Sequence, residues 1–377
     1  MTLPFTAIVG FSLARRALMC TLVDPTLRGV VVSGPVGTGK SSLMRGFVEF
    51  VRAVDPDAPV VNVPLGVTDD RLIGGVDLDA SLAAGELRAG RGLLAAVDGG
   101  YLFVDDLPLL DAQSIAMIVR ALESESAVVE REGISRRDNA RFVLLATTVP
   151  TERDLSFANA DRVAFLIGSE ERSDGATQLL MRRIHQFNEH PVDLLRDVEP
   201  MQQRAAEQVA TARLMHPMIT LDEGTLKWIA EESQRLQIAG NRADVFAAKA
   251  ARAHAALRGA REIGEDDLQF ALATVLAPRA QNIPHDENGG DAEGGEEGGE
   301  DENDTIGEHS TDDNPDADPQ ESEQSIQPNE LPTDAVDNAQ NEPHENSHDE
   351  VDELIDDETQ NSNESSGSFS AKTSASA

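Results

Sequence analysis

The sequence predicts an α/β fold, a parallel sheet with helices on both faces, followed by a small all-helical lid domain and a disordered acidic tail. Three observations carry this expectation. Short β-branched runs alternate with helical stretches between residues 28 and 168, the pattern of parallel strands joined by crossover helices. From about residue 198 the β character ends and only helical periodicity remains. The charge is also divided unevenly. Of 68 Asp+Glu, 30 fall in residues 286–377 beside one basic residue, Lys372, so that segment carries −29 of the formal −37 and residues 1–285 carry −8.

The first strand is the β-branched run 29–33 (Gly-Val-Val-Val-Ser). Apolar runs at 59–63, 100–104 and 141–147 are each too short for a helix and are flanked by turn residues, so they read as strands. Residues 40–54 form a helix, with Leu43, Phe47, Phe50 and Val51 at helical spacing. Residues 126–146 read as a β-hairpin inserted in the sheet, built on Val128 to Ile134 and the strand at 141. Residues 200–214, 222–236, 241–259 and 264–276 are the lid helices. Gly240 and Gly259 act as terminators, and Glu265-Asp266-Asp267 supplies acidic groups to a first turn. The expected domains are therefore 1–197 (α/β), 198–284 (helical lid) and 285–377 (tail). A tail of that charge, rich in Gly, Asn, Ser and Pro, cannot bury enough apolar surface to offset its chain entropy.

Composition excludes several classes. The single cysteine, Cys20, rules out a disulfide framework and reads as a buried small hydrophobe. No signal sequence and no run of the ~18 apolar residues of a membrane span occur, so a cytoplasmic protein is expected. Negative charge even without the tail argues against nucleic-acid binding. The eight histidines show no metal spacing, and Trp228 and Tyr101 read as core packing. The charges Glu130, Arg131, Glu132, Arg136 and Arg137 of the hairpin form either a solvated face or a contact with a neighbour or client.

The most specific motif is Gly34-Pro35-Val36-Gly37-Thr38-Gly39-Lys40-Ser41, which matches G-x-x-x-x-G-K-[ST] between a strand and a helix. Its glycines let backbone N–H groups converge on phosphate oxygens, and the helix that begins with Lys40, Ser41 and Ser42 presents its positive end to the same anion. Lys40 is expected to reach the β and γ phosphates of ATP and Ser41 to ligate Mg²⁺. A second element ends the strand at 100–104: Asp105 would hold Mg²⁺ through water, and Asp106 would polarise the attacking water.

Several segments resemble the AAA+ ATPase subunits of magnesium chelatase. They are residues 4–10 (Pro-Phe-Thr-Ala-Ile-Val-Gly), Asp24-Pro25, the phosphate loop, 65–74 (Leu-Gly-Val-Thr-Asp-Asp-Arg-Leu-Ile-Gly), Gly92-Leu93-Leu94 and 129–135 (Val-Glu-Arg-Glu-Gly-Ile-Ser), in family order over about residues 3 to 283. Residues 240–244 and 275–280, with the acidic tail, look more like the D-type than the I-type subunit, without the integrin-I-like domain that usually follows; an I-type subunit with an unusual tail is the alternative. The resemblance implies a P-loop AAA+ fold and a ring of usually six protomers. It also implies two kinds of partner, a second AAA+ subunit and a large porphyrin-binding subunit. Asp161-Arg162 matches the motif that makes Arg162 the finger toward a neighbour's γ-phosphate, and Arg242 matches the lid arginine that senses nucleotide within one protomer.

Two departures stand out. The family's catalytic Asp-Glu is Asp105-Asp106, one methylene short at the second position, and the polar Asn expected after the 141 strand falls on Val149, leaving Thr148 as its substitute. The expected function is an ATP-binding subunit that couples ATP to Mg²⁺ insertion into protoporphyrin IX on a separate subunit, with weak hydrolysis of its own. A non-hydrolysing assembly platform and a chaperone of another chelatase, such as a cobalt chelatase, are the alternatives.

Overall fold

The computed structural model describes residues 2–76, 81–83, 85, 90–131, 134–150, 157–169 and 174–280. The expected disordered tail and Glu132 lie outside the described residues. Five parallel strands form one sheet in the order β2-β3-β6-β1-β7: β1 (Gly29–Ser33), β2 (Val60–Asn62), β3 (Gly100–Val104), β6 (Phe142–Thr148) and β7 (Phe165–Gly168). β7 is four residues long, too short for its period to show in the sequence. The hairpin strands β4 (Ser126–Arg131) and β5 (Ile134–Asn139) pair only with each other, so the expectation that they enter the main sheet is corrected. The reason is that β6 already has β1 on one side and β3 on the other, which leaves no ladder beside it to accept the hairpin.

Successive side chains alternate between the two faces of the sheet. Val30, Val32, Tyr101, Phe103, Val143, Leu145, Phe165 and Ile167 point to one face, where they meet α1 (Ser12–Val23) and α2 (Lys40–Val54). Cys20 is fully buried there, and Phe5, Phe47, Phe50 and Tyr101 form an aromatic cluster. Val31, Leu102, Val104, Leu144 and Ala146 point to the other face, against α3 (Ala112–Ser124) and the hairpin's Ala127. Asp111 caps α3 by accepting from the Ser114 N–H at 2.8 Å.

The helical part is longer than expected. A helix α4 (Asp174–Glu189) precedes α5 (Pro191–Met215), which runs unbroken through residue 197, so the expected domain boundary falls inside a helix. Pro191 occupies its first turn, where a missing N–H costs nothing. The lid proper consists of α6 (Glu223–Arg235), α7 (Arg242–Leu257) and α8 (Glu265–Ala271), the last passing into a π-turn at Leu272–Leu276. α7 buries eight alanines with Phe246 and Leu257, is buried nearly all round, and forms the axis about which α1, α5, α6 and α8 pack. Trp228 is partly buried against this core. The buried Asp267 accepts hydrogen bonds from His254, Arg258 and the Gly264 N–H and so ties α7 to α8. Among the described residues no helix is long and apolar enough to cross a membrane.

Candidate functional site

All strands of the main sheet are parallel, so their C-terminal ends share one edge, here the upper edge, and ligand crevices form there. The loop from Gly34 to Gly39 leaves β1 at that edge. Gly34 donates its N–H to the Thr148 carbonyl at 3.2 Å, and a Cβ at this position would stand 2.6 Å from the Ser169 Cβ, so only glycine fits. Gly39, with φ +99°, turns the chain into α2. Pro35 and Thr38 shape the loop, the Thr38 hydroxyl donating to the Pro35 carbonyl at 3.0 Å, and Gly37 has open space where a Cβ would point. Lys40 is buried, and its ammonium donates to the Gly34 and Pro35 carbonyls at 2.7 and 2.8 Å. Ser42 follows on the first turn of α2. This is a glycine-containing loop at the start of a fifteen-residue helix with a buried cation beside it, an arrangement that fits a triphosphate.

The acidic pair faces the loop. Ser41 donates to Asp105 Oδ1 at 2.7 Å, across two elements that meet at the upper edge. Thr147 donates to the same oxygen at 2.7 Å and accepts the Asp106 N–H at 2.8 Å. Thr147 thus fixes both acidic residues, and Thr148, the substitute expected from the sequence, does not. Strand parity explains the difference. Val104 lies opposite Ala146, so Asp105 lies opposite Thr147 on the face carrying α2. Thr148 points to the other face and, with Ser33, lines a cavity of about 500 Å³. The parity was present in the sequence and would have identified Thr147. Asp106 itself adopts a left-handed conformation, φ 53°, tolerated by Asp.

Arg45 was not anticipated. It lies four residues after Ser41, on the same face of α2, and its guanidinium meets Asp105 Oδ2 at 3.0 Å. Ser41 and Asp105 could together hold Mg²⁺, with Arg45 as a resident cation on the carboxylate oxygen that Ser41 and Thr147 leave open.

The two predicted arginines lie elsewhere. Arg162 stands just before β7 and Arg242 opens α7, and both donate to Glu123 at the C-terminal end of α3. Arg242 also reaches Asp161 at 3.4 Å. α3 begins beyond the upper end of β3 and runs back down the sheet, so this cluster occupies the lower edge, a strand length or about 15 Å from the phosphate loop of the same chain. Arg242, expected to sense nucleotide within its own protomer, is instead paired with Glu123 and Asp161 at this edge. Burial, together with the nearby Arg242 and Arg28 guanidiniums, pushes the Arg162 pKa down.

Arg279 locks this edge. It is almost wholly buried and donates to Asp161, to the Val163 and Ala164 carbonyls at the start of β7, and to Val275 within its own turn. The sequence placed Arg279 in a family-like motif without a role. Its neighbours across the fold, more than a hundred residues away, supply that role.

The AAA lid domain family matches residues 227–297. The magnesium-chelatase 67 kDa subunit of Chlorobaculum tepidum is 38% identical over 286 residues, covering 75% of this chain and 44% of the relative. The chain thus spans a little under half of that larger subunit. An uncharacterized protein of Mycobacterium tuberculosis is 32% identical over 293 residues, covering 77% of this chain and 47% of the relative. Among solved structures, a chain from a cryo-EM complex of the magnesium chelatase subunits BchI and BchD is 30% identical, covers 75% of this chain and 97% of its own, and gives a TM-score of 0.41. The magnesium-chelatase 38 kDa subunit of Rhodobacter capsulatus is 31% identical over 318 residues, and the match takes in 77% of this chain and 91% of that subunit, so the chain belongs to the family of AAA+ subunits of magnesium chelatase.

Proposed function

We propose that this chain binds MgATP at the upper edge of its sheet and completes that site with the lower-edge arginines of a neighbouring protomer. The observation that carries this reading is the separation of charges. Lys40, Ser41 and Asp105 gather at one end of the strands and Arg162 and Arg242 at the other, so one protomer cannot bring both sets to one triphosphate. A head-to-tail neighbour can, and repetition of that contact closes a ring, hexameric by family resemblance.

The residues divide the work. The loop N–H groups and Lys40 hold the phosphates, while Ser41 and Asp105 hold the Mg²⁺ that neutralises charge on the β and γ phosphates. Thr147 fixes Asp105 and the Asp106 backbone, and the Asp106 carboxylate orients the attacking water. A side chain one methylene shorter than Glu holds that water less well, so turnover is slow. Arg162 and Arg242 from the neighbour supply positive charge to the γ-phosphate.

The relatives' names support a place in magnesium chelatase, where this chain would drive Mg²⁺ insertion into protoporphyrin IX on a separate large subunit. The higher identity to the 67 kDa than to the 38 kDa subunit supports a D-type role. The short Asp106 also favours a second reading, an assembly platform that binds ATP without turning it over. Reconstitution with the second AAA+ subunit, the large subunit, protoporphyrin IX and MgATP tests both. Metalloporphyrin formation should require this chain and its Lys40. Formation without any hydrolysis attributable to this chain selects the platform reading, and formation independent of Lys40 refutes both.

A further inference from the structure

Two arginines from different elements converge on one carboxylate at the lower edge. Arg162, from the turn before β7, and Arg242, from the first turn of α7, both donate to Glu123 Oε1, the latter at 3.1 Å. The second carboxylate of the cluster, Asp161, has a different attachment. It takes Arg242 on one oxygen at 3.4 Å, but its other oxygen is bound at 3.0 Å to Arg279, which is itself held by three carbonyls. Asp161 is therefore part of the frame. Glu123 lies at the end of a helix with its side chain about a third exposed, and among the described residues its ionic partners are these two arginines.

We propose that Glu123 is a positioning carboxylate that holds Arg162 and Arg242 as a pair and yields them to the γ-phosphate of the neighbouring protomer, so that ATP must displace it to close the ring. The inference rests on the reading that these arginines act across a protomer interface. Two guanidiniums side by side repel, and a shared carboxylate lets both point the same way. It also competes with phosphate for the same donors. A phosphate offers more charge and more acceptor oxygens than one carboxylate, so the exchange favours nucleotide, but only after both contacts to Glu123 are broken. Glu123 cannot follow its arginines onto the phosphate, because like charges repel. Hence it must swing away as the interface forms.

The test uses the full chain with Glu123→Gln, Glu123→Asp and Arg162→Ala variants. The measurement is the MgATP concentration for half-maximal ring assembly, read by sedimentation, with thermal melting as a check on folding. Glu123→Gln keeps shape and removes the competing charge, so assembly should need about three- to tenfold less MgATP, as expected for two partly exposed ion pairs. Glu123→Asp should restore the wild-type requirement. A merely structural Glu123 predicts the reverse, a lower melting point and a higher MgATP requirement for Glu123→Gln. An unchanged or raised requirement overturns the proposal. Arg162→Ala separates the two levels of inference. If it raises the requirement while Glu123→Gln does nothing, only the role of Glu123 fails. If Arg162→Ala also does nothing, the interface reading fails with it.

Discussion

Replacing Thr147 with Val keeps shape and volume nearly constant and removes one hydroxyl that does two jobs. The hydroxyl donates to Asp105 Oδ1 at 2.7 Å and accepts the Asp106 N–H at 2.8 Å, and the residue is fully buried. A hydrogen bond to a carboxylate contributes about 1.5–3 kcal/mol and a neutral one about 1 kcal/mol, so the substitution should cost roughly 2–4 kcal/mol. For a folded part of this size that lowers the melting temperature by about 4–16 °C, at 2–4 °C per kcal/mol. Catalysis should suffer more than stability suggests, because both acidic residues lose their common anchor. A displacement of the attacking water by about 1 Å is enough for a ~100-fold loss in turnover. Thr148→Val is the matched control. Its side chain points to the opposite face, and its carbonyl, which takes the Gly34 N–H, survives the substitution. The assays are thermal melting and MgATP hydrolysis by the assembled ring. Equal effects of the two substitutions, or a larger effect at Thr148, would refute the parity argument on which the site geometry rests.

Arg279→Met should leave Asp161 without its partner and three carbonyls without donors, costing about 3–5 kcal/mol, enough to lower soluble yield and to loosen the lid from β7 in hydrogen exchange. Arg45→Ala should change stability by less than ~1 kcal/mol, since the pair is largely exposed, yet lower the Mg²⁺ concentration needed for half-maximal nucleotide binding, because Arg45 no longer occupies Asp105. Asp267 gives an acid limb to stability. Burial works to raise its pKa, but hydrogen bonds from Arg258, His254 and the Gly264 N–H outweigh it and hold the value at about 2 rather than 3.8. A depressed carboxylate pKa stabilises fully above the unfolded value, so about 2 kcal/mol should be lost as pH falls from about 4 to about 2. Melting curves at pH 5 and pH 2 should show this loss in the wild type and much less of it in Asp267→Asn.

The upper edge was largely legible in the sequence. Phosphate loops are local in the chain, and Lys40 and Ser41 stand where the motif put them. Asp105 was found because an acidic pair at the end of an apolar run is also a local signal. Thr147 was missed by one residue through reliance on family position rather than strand parity. The lower edge was legible only in part. Arg162 and Arg242 were identified, but not the fact that they meet on Glu123, since three elements distant in sequence converge there and no spacing encodes their meeting. Arg279 was opaque for the same reason: three of its four hydrogen bonds go to residues 115 or more positions away, the exception being Val275 within its own turn. The hairpin was legible as a hairpin, but its exclusion from the main sheet depends on which strands flank β6, and that is a property of the assembled topology.

The central claim is that each ATP site is divided between two protomers, the phosphate loop on one and the arginines on the next. Mixing Lys40→Ala and Arg162→Ala chains tests it most directly. Each variant alone should show turnover near background. In a random equimolar ring about one interface in four pairs an intact loop with an intact arginine face, so the mixture should recover about a quarter of wild-type turnover. A mixture as inactive as its components would show that the loop and the arginines serve the same protomer, and would contradict the account.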